Sequence, residues 1–296
     1  MNASLRRAAA GALALPLLLL SGCMFTTRKL PVPRMPAMVQ TVAPEDLVAQ
    51  LNRHWAELES LNATVDIQAS VLKTKEGVAK DYTTFRGIIL MRKPEMLRVY
   101  GRVPVIGTRM FDMVSDGKDF TLYIPSRNKA VKGSNSLKKR SASQVENLRP
   151  GFFFDAMVVR GMEPDEYYAV AADTDTAEDA SKKHLLINPE YILNVMRRKP
   201  DSQQLYLVRV VHFHRDDMMP YQQDLYDSEG TLETQVFYSQ YADYGPTRYP
   251  STITIKRPQE DYMVVLTVEK VVKNMALTDD QFQVKIPEGT TTQTLE

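Results

Sequence analysis

The sequence is poor in cysteine, since Cys23 is the only one among 296 residues. A single thiol cannot form a disulfide within the chain, and it cannot assemble a cluster of thiolate metal ligands. The folded part must therefore be stabilised by an apolar core, for which 44% hydrophobic residues provide the material. Cys23 lies close to the N-terminus, and its role has to be sought there.

The sequence also lacks a strong excess of charge and a long apolar run beyond its first residues. The formal net charge is +1, and a nearly neutral chain has no electrostatic reason to seek nucleic acid. No run after residue 22 is long enough to cross a bilayer core of about 30 Å as a helix. Attachment to a membrane would have to come from a covalent lipid.

Sequence signatures of catalysis are missing as well. The chain contains no G-x-S-x-G elbow, no glycine-rich phosphate loop and no H-E-x-x-H motif. His212 and His214 share one face of a predicted strand, and Asp216 could add an oxygen, but zinc would need a further ligand from elsewhere. The sequence therefore predicts no catalytic residue, no metal, no cofactor and no enzyme.

The N-terminus has the pattern of a secretory signal. Arg6 and Arg7 precede an apolar run, Ala8–Leu20, which is followed by Ser21, Gly22 and Cys23. This stretch resembles the lipobox of bacterial lipoproteins, in which the cysteine is acylated and becomes the first mature residue. The resemblance implies a signal peptide over 1–22 and a lipidation site at Cys23. Because Met24 follows instead of aspartate, it also implies the outer membrane.

Residues 23–43 are predicted to be the lipidated cysteine and a linker, because Pro31, Pro33 and Pro36 favour extended backbone. A helix is predicted over about 44–60, where Leu47, Leu51, Trp55 and Leu58 recur at helical spacing. Trp55, the sole tryptophan, is either a core anchor or a ligand contact.

From Asn62 the apolar period changes to two. Ala63, Val65 and Ile67 alternate with polar residues, and turn signals then recur every eight to twelve residues. Such short connections predict an antiparallel meander of eleven or twelve strands. One interruption over 137–182 contains a helical segment, Phe152–Val159, and a polar stretch, 173–183, predicted to be a loop.

Two stretches carry a resemblance to a known family. They are Phe85–Val99, with Lys93-Pro94 inside it, and Ser115–Pro125; Tyr241, 249–255, Val271, Asn274, Phe282 and Ile286-Pro287 continue it. In this order the residues resemble the periplasmic lipoprotein carrier and its outer-membrane receptor, LolA and LolB. The resemblance implies an incomplete antiparallel β-barrel of about eleven strands, with an N-terminal helix and a helical lid enclosing a hydrophobic cavity. This domain would span 44–287, leaving 288–296 as a C-terminal tail.

The resemblance also implies site residues. Val105 and Ile106 match the apolar tip of the receptor's membrane-insertion loop, although they could instead fold back into the core. The carrier latches its lid with an arginine before a proline; here Lys93 has that position and Arg92 precedes it. Residues predicted to line the cavity or its lid are Val65, Ile67, Ile89, Leu97, Met110, Phe120, Phe152, Phe153, Phe154 and Met157.

These features predict an outer-membrane lipoprotein, anchored by lipid and facing the periplasm. It would bind the acyl chains of lipoproteins or lipids in its cavity and aid their insertion into the outer membrane, and a periplasmic carrier protein could hand them over. An envelope-stress sensor and a structural scaffold lipoprotein, each acting through protein partners, remain alternatives.

Overall fold

The computed structural model describes residues 32–73, 78–102, 107–135, 150–178 and 184–295. Val105, Ile106 and Cys23 lie outside them. The described residues fall into two compact units: a small one with 32–35, 176–178 and 184–187, and a larger one with the rest. In the small unit, Val32–Arg34 pairs in parallel with His184–Leu186.

The described residues form two α-helices, three short 3-10 helices and sixteen strands. The α-helices are α1 (Pro44–Glu57) and α2 (Pro150–Met157), and the 3-10 helices are Pro125–Arg127, Pro258–Glu260 and Asp279–Phe282. The strands are β1 (Val32–Arg34), β2 (Ser60–Lys73), β3 (Val78–Asp81), β4 (Phe85–Arg92), β5 (Met96–Arg102), β6 (Arg109–Ser115), β7 (Asp119–Ile124), β8 (Lys129–Ser134), β9 (Glu166–Glu178), β10 (His184–Arg198), β11 (Leu205–His214), β12 (Pro220–Tyr226), β13 (Leu232–Tyr244), β14 (Thr247–Arg257), β15 (Tyr262–Lys273) and β16 (Thr291–Thr294).

Apart from β1, the strands build one open sheet that does not close into a barrel within the described residues. Its order is β10-β11-β12-β13-β14-β15-β2-β4-β5-β6-β7-β8-β16, with β9 beside β10 and β3 beside β2. Along this order neighbouring strands are antiparallel, except that β16 runs parallel to β8. The predicted fold class, mainly β with an incomplete antiparallel barrel, is confirmed. The late strand β15 also pairs with the early strand β2, which joins the two halves of the sheet.

Helix α1 confirms the prediction from apolar spacing. It starts at Pro44, has Glu45 and Asp46 in its first turn, and ends at Glu57 because the chain enters β2 at Ser60. Its buried residues Leu47, Val48 and Leu51 pack against an apolar cluster from β10 and β11, which contains Tyr191, Leu193, Val195, Val211 and Phe213.

The largest apolar cluster lies on strands β2, β4 to β8 and β13 to β15, on the side of the sheet that α2 covers; we call this side the inner face. Alternate residues of β2 supply Ala63, Val65 and Ile67, each nearly without solvent exposure. Strands β4 to β8 and β13 to β15 add further residues, and α2 packs onto all of them. A separate small cluster of Leu90, Leu277 and Phe282 lies on the outer face.

Three predicted irregular segments contain strands, and the first is the linker 23–43, which contains β1 (Val32–Arg34). The stretch 173–183 was expected to be a loop, but β9 runs through Glu178 and pairs with β10. That expectation was wrong for 173–178, because the strand is almost fully exposed and so carries no apolar alternation; 179–183 lie outside the described residues. The tail 288–296 contains β16, whose residues are all exposed.

Candidate functional site

The predicted cavity and lid residues converge on the inner face, with one exception. Val65, Ile67, Ile89, Leu97, Phe120, Phe152, Phe153, Phe154 and Met157 are all buried and belong to the same cluster. Met110 lies outside that cluster and is 36% exposed, because its neighbours Phe111 and Met113 take the inward positions of β6.

The aromatic rings of helix α2 pack against the inner face. The rings of Phe152 and Phe153 stack with centroids 4.3 Å apart, and Phe152 meets Tyr262 of β15 edge-on at 6.0 Å. Phe154 is equally buried and lies under the guanidinium of Arg160 at 4.8 Å. Side chains of α2 thus occupy part of the space that an open barrel would offer to a ligand.

The backbone of α2 is held at its C-terminal end by two buried side chains. The hydroxyl of Tyr249 donates a hydrogen bond to the carbonyl oxygen of Met157 at 2.5 Å. The amide of Gln223 donates to the carbonyl oxygen of Asp155 at 2.8 Å. Burial raises the pKa of Tyr249 well above its usual value, so that the hydroxyl keeps its proton and remains a donor.

A chain of ion pairs extends from this end of α2. Arg160 binds Asp155 at 2.6 Å and Glu95, in the turn between β4 and β5, at 2.8 Å. Burial opposes the charge of Arg160, but the two carboxylates outweigh it and raise the pKa of the guanidinium. The helix is therefore tied to the sheet by charge as well as by apolar contact.

The buried residue Arg209 continues the network. Arg209 donates to the carbonyl oxygen of Gly161 at 2.7 Å and to Glu166 at 3.0 Å, and Glu166 also accepts from Arg197 at 3.1 Å. Burial lowers the pKa of Arg209, which lies beside the like charges of Arg160 and Arg197. Since each charge here has an opposite partner, the network fixes the segment that follows α2.

Three cavities border α2. One of about 390 Å³ lies between α1, the end of α2 and strands β13 and β14; Leu51, Trp55, Met157, Tyr238 and Tyr249 are among its lining residues. The second, of about 350 Å³, is more polar and lies at the start of α2, beside Glu95, Arg160 and Arg257. The third, of about 460 Å³, is lined by Asp155, Arg160 and Arg209. Each volume falls within the range of about 300–1,000 Å³ typical of small-molecule sites.

The two cations at the position of the carrier's latch bind elsewhere in the described structure. The ammonium of Lys93 donates to the carbonyl oxygen of Trp55 at 2.8 Å and lies 4.8 Å from the indole centroid, so it fixes the end of α1. Arg92 donates to the carbonyl oxygen of Leu277 at 2.8 Å and binds Asp279 at 2.5 Å. Trp55 itself is partly buried and packs against the main cluster.

The histidine pair is engaged within the sheet. Nδ1 of His212 lies 2.8 Å from a carboxylate oxygen of Glu190, which also accepts a hydrogen bond from Tyr221, and His214 stacks on the Tyr221 ring at 4.1 Å. Among the described residues, no group of three or more His, Cys, Asp or Glu could hold a metal ion. In the same part of the chain, no helix has the length and apolar content needed to span a membrane.

Comparison with solved structures identifies the architecture. The chain is similar to a DUF1329 family protein from Desulfovibrio piger, with a TM-score of 0.52, 15% identity, and coverage of 80% of this chain and 95% of the other. It has that fold. Two further matches have lower TM-scores: a LolA superfamily protein from Nitrosomonas europaea (0.49, 14% identity, 82% and 99% coverage) and a putative outer membrane lipoprotein-sorting protein domain from Vibrio parahaemolyticus (0.47, 13% identity, 79% and 94% coverage). No protein-family model matches the chain, and neither does any curated protein.

Sequence reasoning identified the rings of α2 but missed the groups that hold the helix. Tyr249 and Met157 are 92 positions apart, and Arg160 and Glu95 are 65 apart. The only local signal was an apolar segment, Phe152–Val159, bounded by a proline and an arginine. That signal predicts a buried helix without naming its partners.

Proposed function

We propose that the protein is an envelope lipoprotein that binds acyl chains non-covalently on the inner face of its sheet and aids their insertion into the outer membrane. The observation that carries the proposal is helix α2, a short apolar segment whose three phenylalanines fill the inner face. An acyl chain would take the place of these rings when the helix moves aside.

The energetics favour reversible capture. Transfer of an acyl chain out of water contributes about 0.8 kcal/mol per buried CH₂, so a long chain gains enough to compete with the rings of α2. The gain is limited because displaced rings lose part of their own burial, which keeps binding reversible. The cavity of about 390 Å³ at the end of α2 gives the acyl chain a starting position before the helix moves.

The anchor in this proposal is the acylated Cys23, which would hold the binding domain at the periplasmic face of the outer membrane. A periplasmic carrier could then deliver cargo to a fixed receptor. The spacing would come from residues 24–31, because Val32–Arg34 already pairs with His184–Leu186. Further along, the amide of Gln40 donates to the carbonyl oxygen of Arg215 and that of Val42 to the Tyr191 hydroxyl.

The direct test is a binding titration with a fluorescent long-chain fatty acid, using the full chain purified from membranes in mild detergent. We compare Phe154→Ala on α2 with Phe282→Ala in the outer-face cluster; both rings are buried to a similar degree. The first variant should bind the probe more tightly than the unmodified protein, because it opens space on the inner face, whereas the control should not change affinity. Native mass spectrometry of the same preparation should show acyl-bearing adducts. Absence of probe binding in all three proteins, or equal effects of the two substitutions, would refute the proposal.

A further inference from the structure

The outer face of the sheet carries three arginines in one row. The pairing register sets Arg86 of β4 opposite Arg102 of β5, and Arg102 opposite Arg109 of β6. Side chains that lie directly opposite on neighbouring strands are close enough to interact, and like charges in such positions destabilise a sheet. The row therefore needs negative charge to offset it.

The arginines on this face differ in how many carboxylate partners they have. Arg86 binds Asp66 and Glu269 of the adjacent strands. Asp112 is fully buried and is shared by Arg98 and Arg109, each at 2.6 Å. For Arg102, no carboxylate of the described residues lies within ion-pairing distance.

Three guanidinium groups lie close to the aromatic ring of Tyr100. The guanidinium carbons of Arg98, Arg102 and Arg109 lie 5.3, 5.7 and 5.3 Å from its centroid. A ring face attracts cations only weakly at exposed positions. With one shared carboxylate for three guanidinium groups, the cluster keeps an excess of positive charge.

The cluster is open to solvent on the side away from the core. Arg102 is exposed, the Arg109 side chain is 41% exposed, and Met110 beside them is 36% exposed. None of the cavities described above includes these residues, so they form a surface and not a pocket for a small ion. A surface of exposed arginine and methionine around a half-buried tyrosine suits the boundary between phosphate headgroups and acyl chains.

We infer that Tyr100, Arg102, Arg109 and Met110 form a docking surface for anionic phospholipid membranes. The arginines would bind lipid phosphates, and Met110 would meet the apolar layer below them. This inference goes beyond acyl binding in the sheet interior: it rests on the arginine row alone and would stand if the interior took no cargo.

The test measures arginine accessibility in the full chain reconstituted in vesicles without cargo. Phenylglyoxal modification is followed by mass spectrometry at Arg102 and Arg109, with exposed Arg53 of α1 as the internal reference. Vesicles of zwitterionic phosphatidylcholine are compared with vesicles that also contain anionic phosphatidylglycerol. We expect the modification rates at Arg102 and Arg109 to fall about fivefold in the anionic vesicles and to recover at high salt.

A matched pair of variants and a free-anion arm complete the experiment. Arg102→Gln should weaken the protection of Arg109, while Arg53→Gln should leave it unchanged. Equal modification rates in both kinds of vesicle would overturn the inference. So would equal protection by inorganic phosphate added to phosphatidylcholine vesicles, because the ligand would then be a free anion and not a membrane.

Discussion

Tyr249→Phe is the substitution that isolates the role of helix α2 as a lid. It keeps the buried ring and removes only the hydroxyl, which donates to the carbonyl oxygen of Met157 at 2.5 Å. With α2 closed, that carbonyl loses its buried partner, which costs about 1–3 kcal/mol. When the helix moves aside, water can solvate the carbonyl and the cost disappears.

The expected change in acyl affinity follows from this difference in free energy between the closed and open states. A loss of about 1.4 kcal/mol in the closed state alone raises the open fraction about tenfold. If only the open state binds acyl chains, the apparent dissociation constant should fall by up to about tenfold. A fluorescent fatty-acid titration measures that shift, and hydrogen exchange over Pro150–Met157 measures the opening itself.

Tyr244→Phe is the matched control. Its hydroxyl donates to the carbonyl oxygen of Val268 at 2.9 Å and so lies in a hydrogen bond that does not involve α2. The control should lower the free energy of unfolding without changing acyl affinity. If Tyr249→Phe lowers stability but leaves both affinity and exchange of α2 unchanged, the helix is a fixed part of the core and the lid account fails.

Three further predictions concern the anchor, the insertion loop and the outer face. Cys23→Ser should release the protein from the outer-membrane fraction while leaving its thermal unfolding unchanged; recovery of the processed variant in that fraction would contradict the lipid anchor. Replacement of both Val105 and Ile106 by glutamate should change stability by less than about 0.5 kcal/mol and reduce cargo delivery to liposomes, because charged groups resist entry into the apolar layer. A large loss of stability would instead mean that these two residues lie in the core. Asp112→Ala should cost about 3–5 kcal/mol in urea unfolding, because it leaves the guanidinium of Arg98 without its carboxylate; a cost below about 1 kcal/mol would contradict the ion-pair account.

The sequence predicted those elements whose side chains alternate or recur with a fixed period. Helix α1 and strand β2 were identified because one face of each is apolar and becomes buried against the sheet. The strands β1, β9 and β16 were missed for the complementary reason. Nearly all of their side chains are exposed, and backbone hydrogen bonds to a neighbouring strand hold them in place, which no side-chain pattern reveals.

The sequence could predict the apolar positions of the candidate site, but it could not predict the contacts that hold α2 in place. The alternation in β2 and the aromatic run in α2 located the inner face, although Met110 is exposed and lies outside its cluster. The contacts that hold α2, from Tyr249, Gln223 and Glu95, join residues far apart in the chain. They depend on the order of strands in the sheet, which local periodicity does not determine.

The central claim, that acyl chains bind on the inner face in place of the rings of α2, is tested most directly by photo-crosslinking. A long-chain fatty acid with a diazirine at its tail is bound to the full chain, irradiated, and the modified residues are identified by mass spectrometry. The account predicts adducts at inner-face residues such as Val65, Ile89 and Leu97, and fewer adducts when excess unlabelled fatty acid competes. Adducts confined to the outer-face residues Leu90 and Phe282, or adducts that excess fatty acid does not reduce, would contradict it.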